Sequence, residues 1–240
     1  MGQQYSQQIN AQLPLVNDPE VVRYVNLLGD SIARVADTRG LNWRFYVVDS
    51  KEVNAFAVPG GFVYVNRGVI ERAPKMDMLA GVLGHEIGHV VRRHTVKQMQ
   101  QAQGANFGLT LACILTRVCE NQAAGAAIQI GGQAVFARFS REDEAQADES
   151  GVEFTTRAGI DPRGMPEMFR VLLEERKTRP AGVEAWFTTH PLEESRIQAT
   201  EAQIARISPS TLRRLTVDTP AYDAFRRRLM SLPVTAAPRR

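Results

Sequence analysis

The chain has 240 residues, enough to bury a sizeable core as one large domain or two small ones. It is 44% hydrophobic and 23% charged, which excludes a disordered, collagen-like or disulfide-dense protein. The formal charge of +3 is spread along the chain, with clusters only at Arg92–Arg93, Arg226–Arg228 and Arg239–Arg240. Without a basic stripe interleaved with aromatics, no nucleic-acid partner is expected, while a weak attraction to an anionic membrane surface stays open.

The first residues, "MGQQYSQQINAQLPLV", lack the basic start and continuous apolar run of a signal peptide. On the residues alone the protein is cytoplasmic, or an exported protein whose signal is absent from this sequence. "NDPEVVRYVNLLGDSIARVA" follows, with an Asn17/Asp18 cap, Pro19 in the first turn, and Val21, Val25, Leu28, Ile32 and Val35 at helical spacing. It predicts an amphipathic helix. Between Trp43 and Val65 the texture changes to β-branched and aromatic runs broken by Pro59-Gly60-Gly61, which predicts a small sheet of two to four strands.

Asp77 is a candidate cap for the next helix, expected to run to about Gln103 with Leu79, Leu83, Ile87 and Val90 on an inward stripe. Residues 105–139 are rich in Ala, Gly and Gln; their uncharged runs, 105–116 and 121–137, are shorter than the roughly 20 residues that span a bilayer. Small-residue helices packed in the core or on a partner are expected there, with a membrane-lying hairpin as the alternative. Cys113 and Cys119 would stand about 9 Å apart along one straight helix, too far to bridge. Three further helices are expected, through "SREDEAQADESGVEFTTRAG", after Asp161-Pro162 and after "THP" at 189–191, and then a C-terminal helix and tail. The whole reads as one domain over 1–240, its core about 17–206 and its tail 207–240.

Within the third helix, "HEIGH" at 85–89 carries the chemistry. Residues four apart on a helix lie one above the other, so His85 and His89 can aim two imidazole nitrogens at one ion, with Glu86 beside the open position as a base. The uncharged flanks suit a buried ligand helix. Gly84 and Gly88 thin it on one side, where a sheet, ligand or substrate would approach; two helical glycines need a packing reason.

A catalytic zinc takes a third protein ligand. A metzincin would place histidine ten residues after the first; Thr95 stands there, and His94 misses by one and is expected at the surface. "SREDEAQAD" offers Glu144 as ligand, with Asp148 on the same helical face to accept the free N–H of a ligand histidine. Glu142 and Glu149 are expected to be solvated.

Four pieces, "NAFAVPGGFVYVNRGVI" at 54–70, "HEIGH" at 85–89, "SREDEAQADESG" at 140–151 and "THPLEESRI" at 189–197, make the chain resemble the HtpX-like and CAAX-prenyl-protease-like zinc metalloendopeptidases, peptidase family M48 in the gluzincin group. The resemblance implies an α+β, mainly helical zincin-like domain with a small β-sheet beside the HExxH helix. It implies one Zn²⁺ per chain on His85, His89 and Glu144, and Glu86 as catalytic base. It also looks like the periplasmic or lipoprotein branch, which lacks the membrane helices of other members.

His190 is weighed as a donor to the oxyanion or as the fourth zinc ligand of a self-blocked resting state, against a structural role at a helix start. Arg196 is a second oxyanion candidate, its alternative being a surface ion pair with Glu193 or Glu194. An exposed edge of "GFVYVN" would let an extended peptide add as a strand, with Asn54, Ala55, Gly60 and Gly61 in contact. The expected function is hydrolysis of internal bonds in unfolded or misassembled envelope polypeptides. A chaperone-like assembly factor with a closed zinc site, and a cytosolic hydrolase of small molecules, are the alternatives.

Overall fold

A computed structural model describes residues 2–101 and 139–234. The expectations for residues 105–138, and for Cys113 and Cys119, lie outside the described residues. Helix α1 (Gly2–Gln12) precedes α2 (Pro19–Ala36), which Asp18 caps by accepting hydrogen bonds from Glu20 N and Val21 N. The predicted stripe of α2 is buried at Val21, Val25, Leu28 and Ile32. Gly29 lets the helix lie directly on Phe45, whose ring a β-carbon there would strike.

The sheet has three strands, β1 (Arg44–Val48), β2 (Ala55–Val58) and β3 (Phe62–Asn66), in the order β1-β3-β2. β1 runs parallel to β3, and β2 is antiparallel to it. The "GFVYVN" strand is therefore central, paired on both sides, and the edge expected there belongs to β2. Gly60 and Gly61, at φ 101° and 91°, allow the short β2–β3 turn. One sheet face joins the main apolar core; the other carries a stack of Tyr46, Tyr64 and Phe56 covered by α1, whose Ser6 and Asn10 meet the Tyr64 hydroxyl. That covering helix was not foreseen, because its polar sequence buries little more than Ser6 and Ile9.

After α3 (Arg67–Arg72) comes α4 (Met76–Val91), buried along its whole length except at the last residue. Core surrounds it on every side, so it has no single inward stripe. Lys75, not Asp77, occupies its N-cap; Asp77 is itself buried. Nor does the helix continue to Gln103: it stops at Arg92–Arg93, where Arg93 takes φ 62°, and α5 (His94–Gln101) starts anew.

The remaining helices are α6 (Arg141–Arg157), α7 (Gly164–Thr178), α8 (Pro180–Thr189), α9 (Glu194–Ile204), α10 (Pro209–Leu212) and α11 (Pro220–Ser231). α6 begins with a reciprocal capping box between Ser140 and Asp143. α8 is an extra helix, begun by Pro180 within what reads in sequence as one segment. α11 returns to α2 and α3, anchored where buried Arg67, paired with Asp49 at 2.5 Å, donates to the carbonyls of Leu229 and Leu232. The result is the mainly helical α+β architecture expected, with its small sheet beside α4.

Candidate metal centre

The site forms where α4 crosses α6, and glycine sets the distance between them. A β-carbon on Gly88 would sit 3.0 Å from Ala147 O and Ser150 Cβ; one on Gly84 would meet Thr155 Cγ2 and Gly151 at 3.2–3.3 Å. The partner that needs the two glycines is thus the helix carrying Glu144, rather than a sheet, ligand or substrate. Close backbone approach brings a short carboxylate side chain to the imidazoles of the neighbouring helix.

His85, His89, Glu144 and His190 offer donor atoms that all lie within 4.8 Å of one another, and all four side chains are buried. The two Nε2 atoms of His85 and His89 are 3.0 Å apart. Glu144 Oε2 is 3.6 Å from His85 Nε2, and its Oε1 is 3.3 Å from His89 Nε2. His190 Nδ1 stands 3.3 Å from His85 Nε2 and 3.0 Å from Glu144 Oε1. A tetrahedron of ligands with bonds of about 2.0–2.1 Å has edges of about 3.3 Å. The donor separations of 3.0–3.6 Å lie near that edge, and nitrogens from histidine with a carboxylate oxygen are a donor set such an ion accepts. A cation also answers the electrostatics, since four polar groups otherwise converge in a dry cavity.

The hydrogen bonds around the cluster fix its lone pairs. Asp148 Oδ1, 2.8 Å from His85 Nδ1, accepts that N–H and leaves Nε2 bare toward the centre. A second chain starts at Gln146, whose Oε1 accepts from His94 Nε2 at 3.1 Å. His94 Nδ1 then accepts from His89 Nδ1 at 3.0 Å, which leaves His89 Nε2 bare as well. His94, expected at the surface, is 2% exposed. On an unbroken helix it would point about 140° away from His89; the break at Arg93 turns it back. Phe139 stacks on His89 at 3.9 Å, a contact with no signal in the sequence.

Charges are arranged to suit. Burial pushes the Glu144 carboxyl up, but His190, Arg196 and His85 outweigh it and hold the group well below the usual carboxylate range. Burial holds His89 well below an ordinary histidine, so it is neutral with a lone pair to give. Glu86 is fully buried, and desolvation raises its carboxyl against the pull of His190 and His85. Among the described residues neither of its oxygens has a hydrogen-bond partner, and His190 Nε2, likewise without one there, lies 3.5 Å from Oε1.

Arg196 sits behind the cluster. It donates to Glu144 Oε2 at 2.5 Å, to Asp148 at 2.7 and 2.8 Å, and to Pro191 O at 2.7 Å. The surface pair expected with Glu193 or Glu194 gives way to this part-buried bracing role; Glu193 pairs instead with Arg141. Glu142 and Glu149 are exposed, as expected. Asn54 and Ala55 begin β2 and are buried, with Asn54 Oδ1 unpartnered. Gly60 is exposed at the turn and Gly61 is buried.

The chain was compared with known proteins. The family model described as peptidase family M48 matches residues 19–204. The beta-barrel assembly-enhancing protease of Escherichia coli O157:H7 is 33% identical over 206 residues, covering 82% of this chain and 42% of that protein. Metalloprotease LoiP of Escherichia coli K12 is 30% identical over 173 residues, 72% of this chain and 65% of that one. The mitochondrial metalloendopeptidase OMA1 of Bos taurus is 30% identical over 181 residues, 72% of this chain and 34% of that one. The chain thus spans less than half the length of the first of these relatives. With the matched segment containing every residue of the four-donor cluster, the chain belongs to peptidase family M48, a family of metal-dependent peptidases.

Proposed function

We propose that this chain is a single-domain zinc metalloendopeptidase that hydrolyses internal peptide bonds. The observation that carries the reading is Glu86, whose buried carboxyl, without a hydrogen-bond partner among the described residues, stands beside a cluster of four donors within 4.8 Å of one another. His85, His89 and Glu144 hold the ion in this reading. A zinc ion, when bound, polarises the scissile carbonyl and lowers the pKa of water toward about 7. Glu86 accepts the proton of the attacking water and returns it to the leaving amine, two tasks served by a carboxyl raised toward the working pH. Asp148 and Arg196 keep His85 and Glu144 in place.

The substrate lies along β2. Asn66 N donates to Asn54 O, so the antiparallel ladder turns residues 54, 56 and 58 toward β3 and the backbone of Ala55 and Ala57 outward. Among the described residues no backbone hydrogen bond reaches that outer edge. An extended chain adds there as a strand, with Asn54 Oδ1 as a further acceptor and Gly60 and Gly61 keeping the turn low. Backbone recognition suits unfolded polypeptides, and the relative named for β-barrel assembly supports misassembled envelope proteins as clients in a periplasmic or outer-membrane-associated location. Among the described residues no helix is long and apolar enough to cross a membrane.

His190 favours a second state of the same site. With Nδ1 at ligand spacing it fills the fourth position, and the chain at rest is then a binder of unfolded clients until the 190–193 loop withdraws and frees the imidazole for the oxyanion. Casein hydrolysis by wild type, Glu86→Gln and His190→Ala, with zinc quantified in each, tests both states. Activity lost in Glu86→Gln at full zinc content supports the protease; a silent wild type roused by His190→Ala supports the blocked state. Activity undiminished in Glu86→Gln, or no bound zinc in any of the three, overturns the reading.

A further inference from the structure

A pocket of about 300 Å³ opens beside His89, lined by Arg39, Leu41, Pro59, Gly60, Arg93 and Thr95 among others. Its cations differ. The Arg39 guanidinium is occupied by Asp37 and by Val90 O, and neighbouring Arg92 is bound to Ser150 and Glu149. The Arg93 side chain makes no hydrogen bond or ion pair among the described residues, so the pocket keeps an unneutralised positive charge. Arg93 also holds φ 62°, the left-handed position after a helix where glycine or asparagine is at ease. An arginine at a backbone position that favours glycine points to a use for its side chain. Thr95, 9% exposed, lines the same pocket, its hydroxyl buried and without a partner among the described residues.

The pocket also lies on the substrate's path. Pro59 and Gly60 follow β2 in its turn to β3, and among the described residues no backbone hydrogen bond closes the outer side of that buried strand, so a chain paired there reaches the pocket with alternate side chains turned to one side. Resting on the metallopeptidase reading, we propose that this pocket is a specificity subsite for an acidic side chain, an aspartate or glutamate a short distance from the cleaved bond. Arg93 donates to its carboxylate.

The test digests a mixed peptide library with the zinc-loaded full chain and reads the cleavage sites by mass spectrometry. Acidic residues should be enriched about tenfold at one position near the cleaved bond, the equivalent of one charged hydrogen bond. Arg93→Gly, which relieves the backbone, should erase the enrichment; Arg93→Lys should keep it and Arg93→Glu should turn it toward Lys and Arg. No acidic enrichment, or enrichment unchanged in Arg93→Gly, overturns the proposal. Anisotropy of a fluorescent glutamate peptide and its glutamine twin on the Glu86→Gln chain supplies a readout without turnover. Tighter binding of the glutamate peptide, lost when Arg93→Gly is added, supports the pocket even if nothing is cleaved; equal affinities overturn it. Absent cleavage with discriminating binding breaks the peptidase reading alone.

Discussion

The four donors sit on two kinds of structure. His85, His89 and Glu144 belong to the α4–α6 crossing, where backbone meets backbone across glycines and nothing can shift without separating two buried helices. His190 belongs to the short 190–193 connection between α8 and α9, held by one backbone hydrogen bond, His190 N to Trp186 O at 2.7 Å, and by side-chain contacts: Arg196 of α9 on Pro191 O, and the Trp186 ring at 4.8 Å. A crossing of this kind is rigid, whereas a loop can change place by turning a few backbone dihedrals. On the proposed reading, the difference teaches how one fold could both fix an ion and regulate access to it: main-chain packing sets His85, His89 and Glu144, while a loop next to the Arg196 guanidinium sets His190.

Arg196 joins the two regions, so removing it should have the largest effect. Arg196→Met leaves the buried Glu144 and Asp148 without their cation and should cost about 3–5 kcal/mol in urea unfolding. A loss below about 1 kcal/mol would mean that the loop brace is not part of the fixed half. Next, Gly88→Val should drive α4 and α6 apart, lowering stability by about 1–3 kcal/mol and abolishing zinc retention; His190→Ala should do neither. Should both variants lose zinc alike, the division into fixed and movable ligands fails.

His94→Phe keeps the bulk beside His89 but removes the acceptor that sets its tautomer. Zinc affinity should fall about 10–100-fold by competition with a chelator, with little change in thermal midpoint.

A smaller effect lies at the start of α4, where burial, aided by Glu167, pushes the Asp77 carboxyl up to about 7 against the pull of Lys75. A raised folded pKa means that the neutral form is favoured in the fold. Its contribution is complete below the ordinary aspartate value of 3.8, fades as pH climbs, and is gone above about 7. Asp77→Asn should flatten that part of the pH–stability curve, as thermal midpoints between pH 4 and 8 would report. The smallest effect is expected from Arg141→Ala, which removes the exposed pair with Glu193 on the loop; about 0–1 kcal/mol is at stake, and peptidase onset should not move.

The parts legible in sequence were those coded by short spacings. Asp18 and Pro19 before the apolar positions of α2 mark its start, because cap and stripe lie within one segment. "HEIGH" places two imidazoles on one helical face, and Glu144 with Asp148 places two carboxylates on another, by helical geometry alone. His94, Phe139 and Arg196 were misjudged or unseen because their partners are remote in the chain or depend on a break that no propensity signals. A left-handed arginine at position 93 breaks the helix and redirects His94, and neither α4 nor α5 alone encodes that turn.

By itself, then, the sequence determined the chemistry available: which residues can ligate, which can take a proton, and that both stand on helices, since these follow from side-chain type and a period of 3.6. Only the tertiary structure decided which of them meet. Three glycine contacts let α4 and α6 approach closely, the sheet order put β2 rather than β3 at the open edge, and a loop from the far end of the chain delivered His190. Distances of a few ångströms between segments tens of residues apart are set by packing, and packing is a property of the whole fold.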